Sequence, residues 1–301
     1  MTDTQNEVFK TPVNKIRLFE HGAPGSQNLK LTRKYYTEDM PDGRVKHIVQ
    51  NITDPDIVPY IPDGIGNSTD RQRIPAVLII PGGAFRRLVY NFEGEDVAKW
   101  LNSMGIAAFV LECRLPSDEH DNAEDVPLID AMRAMRVIRG RAQEFGIDEA
   151  KIGVMGFSAG GFMAALLSTA YESDVYADYK YKDEYDKLSA RPDFAVCSYP
   201  VISIDDCIEA GKRYMSEEQV LERISDSKAK ILHKYNPDKL VRPDMPPVFI
   251  CETDDDRTTL SENSVGFYMA ARKAGVSAEL HIFRTGGHGY GCGDDFAQTG
   301  E

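Results

Sequence analysis

The 301-residue sequence is short of cations. Its 35 Lys and Arg face 48 Asp and Glu, for a net charge of −13. Nucleic acid and anionic membrane surfaces are bound through basic patches, so neither is expected as a main partner. Long apolar runs are missing as well. No span of about 20 apolar residues could cross a bilayer. The opening Met1-Thr2-Asp3-Thr4-Gln5-Asn6-Glu7 has neither the basic n-region nor the apolar h-region of a signal peptide. The five cysteines (113, 197, 207, 251, 292) form no Cys-x-x-Cys pair, and Cys113, Cys197 and Cys251 lie in apolar, strand-like runs. Buried reduced thiols, and hence a cytoplasmic protein, are the expectation. There is no His-x-x-His, no His-Glu-x-x-His and no EF-hand spacing, so no metal is expected. No Gly-x-Gly-x-x-Gly follows a strand and no Gly-Lys-Ser/Thr loop occurs, so no cofactor is expected either. Internal repeats and low-complexity blocks are also lacking.

What is present is enough apolar residue, 42%, for one large α/β domain over residues 1–301. Residues 1–75 are polar and broken by Pro and Gly. Val45 to Ile52 alternates like an antiparallel edge strand. Asp54 to Arg73, with Pro55, Pro59, Pro62, Gly64 and Gly66, reads as loop. From residue 76 a strand–helix rhythm sets in. Strands are predicted at 76–80, 106–111, 151–154, 194–199, 247–251 and 278–283. Helices are predicted at 93–104 (with Val97, Trp100, Leu101 and Met104 on one stripe), at 123–145, from 162, and at 261–274. This alternation predicts a mostly parallel sheet with right-handed crossovers and helices on both faces. Two segments interrupt it. Tyr171–Arg191 reads as a surface excursion. Residues 202–242 read as a polar, helical insertion that would overhang the strand ends as a cap; a solvated helix remote from the site is the alternative.

The chain is organised around Met155-Gly156-Phe157-Ser158-Ala159-Gly160-Gly161, between a strand and a helix. Gly-x-Ser-x-Gly on such a turn is a nucleophile elbow. Side chains at 156 or 160 would crowd the neighbouring strand and helix. The turn lifts the Ser158 hydroxyl above the sheet and aims the Ala159 N–H at a developing oxyanion. A serine needs a base, and the base needs an orienting acid. In this arrangement they follow in the order Ser, acid, His. His288 lies in the glycine-rich Gly286-Gly287-His288-Gly289 after the last strand; the other five histidines fit less well. The acid falls in Asp254-Asp255-Asp256 after the preceding strand, and periodicity does not choose among the three. Pro81-Gly82-Gly83-Ala84-Phe85 supplies the small residues of an oxyanion loop, with the Gly83 and Ala84 N–H groups as candidates beside Ala159.

Together these residues resemble the α/β-hydrolase superfamily, and within it the acetyl-xylan-esterase-like carbohydrate esterases, with feruloyl esterases as cousins. The likeness runs from about residue 75 to 292. It includes Pro81–Phe85, Glu93-Gly94-Glu95, Leu101–Ala107, Glu144–Asp148, Gly156–Gly161, Leu188–Asp193, Ser198–Ser203 and Gly286–Gly291. Placing Glu262-Asn263-Ser264 on the end of the family's acid-loop pattern sets Asp255 and Asp256 on its paired aspartates. The resemblance implies that the second, Asp256, is the catalytic acid, with Asp255 as fallback, because Arg257-Thr258-Thr259-Leu260 departs from the usual prolines. It implies a serine esterase acting on short-acyl esters, such as acetyl groups on xylo-oligosaccharides. Same-fold alternatives are a broad carboxylesterase or lipase and a prolyl-oligopeptidase-like peptidase. The alternative of another class is a silent hydrolase-fold binding protein.

Overall fold

A computed structural model describes residues 9, 13–64, 73–213, 215–216, 218–219 and 227–293. Continuous apolar runs make strands covered on both faces. Residues 76–80 and 107–111 are the plainest case, buried at every position. The main sheet has eight strands in the order β1 (Ile16–Arg17), β4 (Asp56–Tyr60), β7 (Ala107–Glu112), β5 (Ile74–Ile80), β8 (Ile147–Phe157), β9 (Ala195–Ser198), β10 (Val248–Thr253) and β11 (Ala278–Phe283). From β7 to β11 all neighbours are parallel; β4 runs antiparallel to β7, and β1 to β4. A smaller antiparallel sheet joins β2 (Lys34–Asp39), β3 (Val45–Gln50) and β6 (Leu88–Val89). β5 pairs with β7 on one side and β8 on the other, so the order reverses there. Loops leaving the carboxyl ends of strands at such a point diverge and open a crevice. The loops after β5 and β8 carry the Gly-Gly turn and Ser158.

Several predicted elements differ from those observed. The expected loop at Asp54–Arg73 contains β4. Pro55, Pro59 and Pro62 disguise it, and its buried Asp56 is unusual for a strand. A charge set explains that burial. Arg33 Nη1 lies 2.5 Å from Asp56 and 2.6 Å from Glu112, and Lys15 Nζ lies 2.5 Å from Glu112. The helix expected at 93–104 starts as a π turn, Asn91–Glu95, before α1 (Asp96–Ser103). On α1, Val97 and Leu101 are buried, but Trp100 is 47% and Met104, just past the helix end, 50% exposed, so the buried stripe is half as wide as its spacing suggests. The long helix at 123–145 is two: α2 (Val126–Gly140) and α3 (Ala142–Phe145). The Tyr185 ring lies against Gly140, where a Cβ would come within 2.4 Å of it. The excursion after α4 (Ala159–Ala170) is tied down rather than free. Arg133 Nη1 binds Asp183 at 2.7 Å, and Arg136 Nε donates to the Leu188 carbonyl at 3.0 Å.

Of the polar insertion, α5 (Ile204–Lys212) and α6 (Ser227–Lys234) are described; residues 214, 217 and 220–226 lie outside the described residues. α7 (Ser261–Lys273) precedes β11. Among the described residues, no helix is long and apolar enough to cross a membrane.

Candidate active site

β8 turns into α4 at Ser158, whose φ of 52° and ψ of −117° put a non-glycine residue in left-handed territory. Such a conformation costs on the order of 1–3 kcal/mol and persists only where its surroundings force it. The glycines show why no looser turn fits. A Cβ on Gly156 would sit 2.0 Å from the Gly160 carbonyl oxygen, and one on Gly160 would sit 2.0 Å from that of Ile80. The Ser158 N–H donates to the Ser198 carbonyl at 3.0 Å, which fixes the elbow to the end of β9.

Three side chains then line up. His288 Nε2 is 2.9 Å from Ser158 Oγ, and His288 Nδ1 is 2.6 Å from Asp256 Oδ2. A carboxylate only accepts, so Nδ1 carries the proton and Nε2 is left to accept from the serine hydroxyl. That is the tautomer a general base needs. Asp256 is buried and held from four directions: by His288, by Thr259 Oγ1 (2.9 Å to Oδ2), and by the Thr258 and Thr259 N–H groups (2.7 and 3.0 Å to Oδ1). Burial alone would raise its pKa. The hydrogen bond and charge of His288 and the two backbone donors outweigh that and hold it below the usual carboxylate range.

The other two aspartates of the turn go elsewhere. Asp254 is exposed, and its N–H donates to the Phe283 carbonyl at 2.8 Å. Asp255 Oδ1 accepts from the Gly287 N–H at 2.8 Å and so anchors the loop that carries His288. Beneath the turn, Glu252 is wholly buried, with its carboxyl pushed up to about 9 by burial and by the nearby Asp256 charge. It is therefore a neutral acid at pH 7.

On the far side of Ser158, Gly83, Ala84 and Phe85 have φ of 136°, 57° and 60°. A Cβ on Gly83 would stand 2.2 Å from the Arg87 carbonyl oxygen, and one on Gly82 would stand 3.0 Å from Ser158 Cβ. The loop thus touches Ser158, and only glycine lets it do so. No described residue accepts from the Gly83, Ala84 or Ala159 N–H groups. Among the described residues, no group of three His, Cys, Asp or Glu is placed to hold a metal ion.

The model of the BD-FAE family matches residues 65–270. The chain belongs to that family. Its fold is that of the α/β-hydrolases. An acetylxylan esterase of Xylanibacter ruminicola is 31% identical over 223 residues, which are 73% of this chain and 42% of that protein. An endo-1,4-beta-xylanase B of Butyrivibrio fibrisolvens is 31% identical over 227 residues, 75% of this chain and 34% of that protein. The chain thus spans less than half the length of these two relatives. A crystal structure of an acetyl ester-xyloside bifunctional hydrolase from Caldicellulosiruptor lactoaceticus is 34% identical. It is similar over 96% of this chain and 92% of that one, with a TM-score of 0.69.

Two members of the site lie outside the sequence-based candidates. Glu93, buried, accepts from the Gly82 N–H at 2.8 Å and from the Tyr199 hydroxyl at 2.9 Å. Tyr199 lies edge-on to the His288 ring, with centroids 5.0 Å apart. Both fall inside motifs that carry the family resemblance, Glu93-Gly94-Glu95 and the stretch Ser198–Ser203. That membership was the one signal available for them.

Proposed function

We propose that this BD-FAE member is a serine esterase that hydrolyses short-acyl carboxylic esters through an acyl-enzyme. The observation that carries the reading is the chain of two short hydrogen bonds, Ser158 Oγ to His288 Nε2 and His288 Nδ1 to Asp256, on a strained elbow facing unsatisfied backbone donors. Ser158 Oγ attacks the ester carbonyl as its proton passes to His288 Nε2. The Ala159 and Gly83 N–H groups, with Ala84 beside them, receive the oxyanion. The tetrahedral adduct collapses, and His288 gives its proton to the departing alcohol. Water then attacks the acyl-enzyme and loses a proton to His288. The second collapse returns that proton to Ser158 and frees the acid. Asp256 holds the ring and stabilises the imidazolium.

Acetyl groups on xylo-oligosaccharides are the substrate class favoured by the acetylxylan esterase and the acetyl ester-xyloside hydrolase among its relatives. Residues 202–242 fit a cap over the site. The Ile202 and Ser203 N–H groups are pinned on Asn263 (2.9 and 3.1 Å) just past Ser158. Lys234 at the far end meets Asp125 at 2.7 Å, beyond β7. The buried thiols of Cys113 and Cys197 fit a cytoplasmic setting.

The test is covalent and kinetic. A fluorophosphonate is expected to label wild type at Ser158, and Ser158→Ala to lose p-nitrophenyl acetate hydrolysis by roughly 10⁴-fold or more. Unlabelled but folded wild type, or Ser158→Ala at the wild-type rate, would sink the reading. Rates falling from acetate to octanoate, release of acetate from acetylated xylo-oligosaccharides, and no cleavage of aminoacyl anilides are expected. A preference for long acyl chains or anilides would move the assignment to a lipase or peptidase.

A further inference from the structure

The π turn Asn91–Glu95 has no role in the acyl transfer described above, yet it touches both loops that serve Ser158. Its Glu93 turns inward and divides its two oxygens between them. Oε2 accepts the Gly82 N–H at 2.8 Å, at the root of the oxyanion loop, and Oε1 accepts the Tyr199 hydroxyl at 2.9 Å. The Tyr199 oxygen in turn accepts the Gly291 N–H at 3.1 Å, three residues past His288. The His288 loop also rests on the turn itself. A Cβ on Gly291 would come within 2.9 Å of the Phe92 carbonyl oxygen. Tyr199 is further held by its N–H on the Cys251 carbonyl at 2.7 Å, in a left-handed conformation with φ of 37°.

We infer that Glu93 and Tyr199 form a positioning brace: a single hydrogen-bonded chain, Gly82–Glu93–Tyr199–Gly291, that sets the oxyanion loop and the His288 loop at one fixed separation across Ser158. The inference rests on the esterase reading above. The two loops share no strand and must agree within fractions of an ångström, because the oxyanion and the proton on its way to His288 belong to one tetrahedral adduct. Glu93 settles that agreement from beneath. Its first oxygen orients the Gly82 peptide and hence the direction of the N–H groups that follow. Its second fixes the tyrosine ring against which the imidazole packs. Burial pushes the Glu93 carboxyl above its ordinary range, against the pull of His288 and of its two donors. A desolvation cost of this kind is retained where the bonds it keeps are used.

Glu93 and Tyr199 are positioning residues, and the test separates that from plain structural support. For each variant, kcat and KM on p-nitrophenyl acetate are read alongside the Ki of a methyl trifluoromethyl ketone. That inhibitor adds Ser158 Oγ to give a hemiketal oxyanion held by the same loops. Glu93→Ala is expected to lower kcat and weaken the ketone together, each by roughly 10²-fold, with KM within about threefold. In Glu93→Gln the amide oxygen still accepts from Gly82 and its NH₂ donates to the Tyr199 oxygen, so kcat stays within about tenfold. Tyr199→Phe cuts the chain at its middle, and the double variant with Glu93→Ala is expected to be no worse than Glu93→Ala alone by more than about threefold. Unchanged kcat and Ki in folded Glu93→Ala would overturn the brace. So would a Glu93→Gln as slow as Glu93→Ala, or losses that multiply in the double variant. Should Glu93→Ala not fold, Glu93→Gln and Tyr199→Phe carry the test, and an unchanged Ki in Tyr199→Phe overturns it. A wild type that takes no fluorophosphonate and hydrolyses no ester removes the esterase reading and the brace with it. An active wild type with an indifferent Glu93 removes the brace alone.

Discussion

Replacing Asp256 by Asn changes one atom, and the surroundings fix how that atom points. Oδ1 accepts from two backbone donors, the Thr258 and Thr259 N–H groups at 2.7 and 3.0 Å. If the new amide turned its NH₂ toward them, two bonds would be lost and donors would face donors, at a cost of roughly 2–6 kcal/mol. The oxygen therefore stays on the backbone, and the NH₂ faces His288 Nδ1 and Thr259 Oγ1. Both of those can accept. His288 then carries its proton on Nε2, opposite Ser158, and cannot act as base. The expected loss in kcat for p-nitrophenyl acetate is roughly 10⁴-fold, or about 5 kcal/mol of transition-state stabilisation. The urea midpoint near pH 7 should move little, since the hydrogen-bond count is kept.

Acid should separate the two proteins. The folded pKa of Asp256 lies below its unfolded value of about 4, so its contribution to stability is present above that value. It is lost as pH falls through the lower, folded pKa. The Asn protein lacks that limb of the profile. Asp255→Asn is the control. Its oxygen can still accept from Gly287, so its rate should stay within about tenfold of wild type. An Asp256→Asn enzyme retaining more than about a tenth of wild-type kcat, or an Asp255→Asn enzyme as slow as Asp256→Asn, would refute this tautomer argument.

Other perturbations test the frame around the site. Glu252 has a folded pKa raised to about 9, so wild type sheds stability as pH rises from the unfolded value toward 9. Denaturant melts of Glu252→Gln across pH 5–8 should show the variant gaining on wild type by about 1.4 kcal/mol per pH unit, the slope of one proton, and a flat difference would contradict it. Arg114 is fully buried on Asp130, with Nη2 at 2.6 Å from Oδ1. Arg114→Met should cost about 3–5 kcal/mol in urea unfolding, and adding Asp130→Asn should return most of it. Nothing lies within 4 Å of a Cβ at Gly266 on α7, so Gly266→Ala should add about 0.5–1 kcal/mol. Gly160→Ala, by contrast, should yield no active protein, because its methyl would overlap the Ile80 carbonyl.

The centre of the parallel sheet is legible because burial on both faces leaves an unbroken apolar signature, as in 76–80 and 107–111. β4 is not, because its Pro59 and buried Asp56 mimic a loop, and the cations that neutralise Asp56 come from distant Lys15 and Arg33. In the site, the Gly-x-Ser-x-Gly elbow points to Ser158, and chain order then leads to His288. Asp254, Asp255 and Asp256 are equivalent to any periodicity argument. What separates them is where the turn points once β10 and β11 lie side by side. The Glu93–Tyr199 bond joins residues 106 apart in sequence. Contacts between two loops of that separation leave no local pattern to read. Gly140 falls inside the helix predicted at 123–145 because nothing nearby in the sequence reveals the Tyr185 ring that packs on it.

Glu112 ends β7 with a wholly buried carboxylate, and the cations against it, Lys15 and Arg33, precede residue 65, where the family match starts. His288 follows residue 270, where the match stops. The stretch matched by the family model is therefore shorter than the stretch that brings the candidate site together. A gene fragment cut to residues 65–270 would keep Ser158 and Asp256 but discard His288, and would strand the Glu112 carboxylate without Lys15 and Arg33 at a penalty of about 3–5 kcal/mol. For anyone transplanting this catalytic unit into a larger polypeptide, the borders belong outside those ion pairs, at whichever residue last neutralises a buried neighbour.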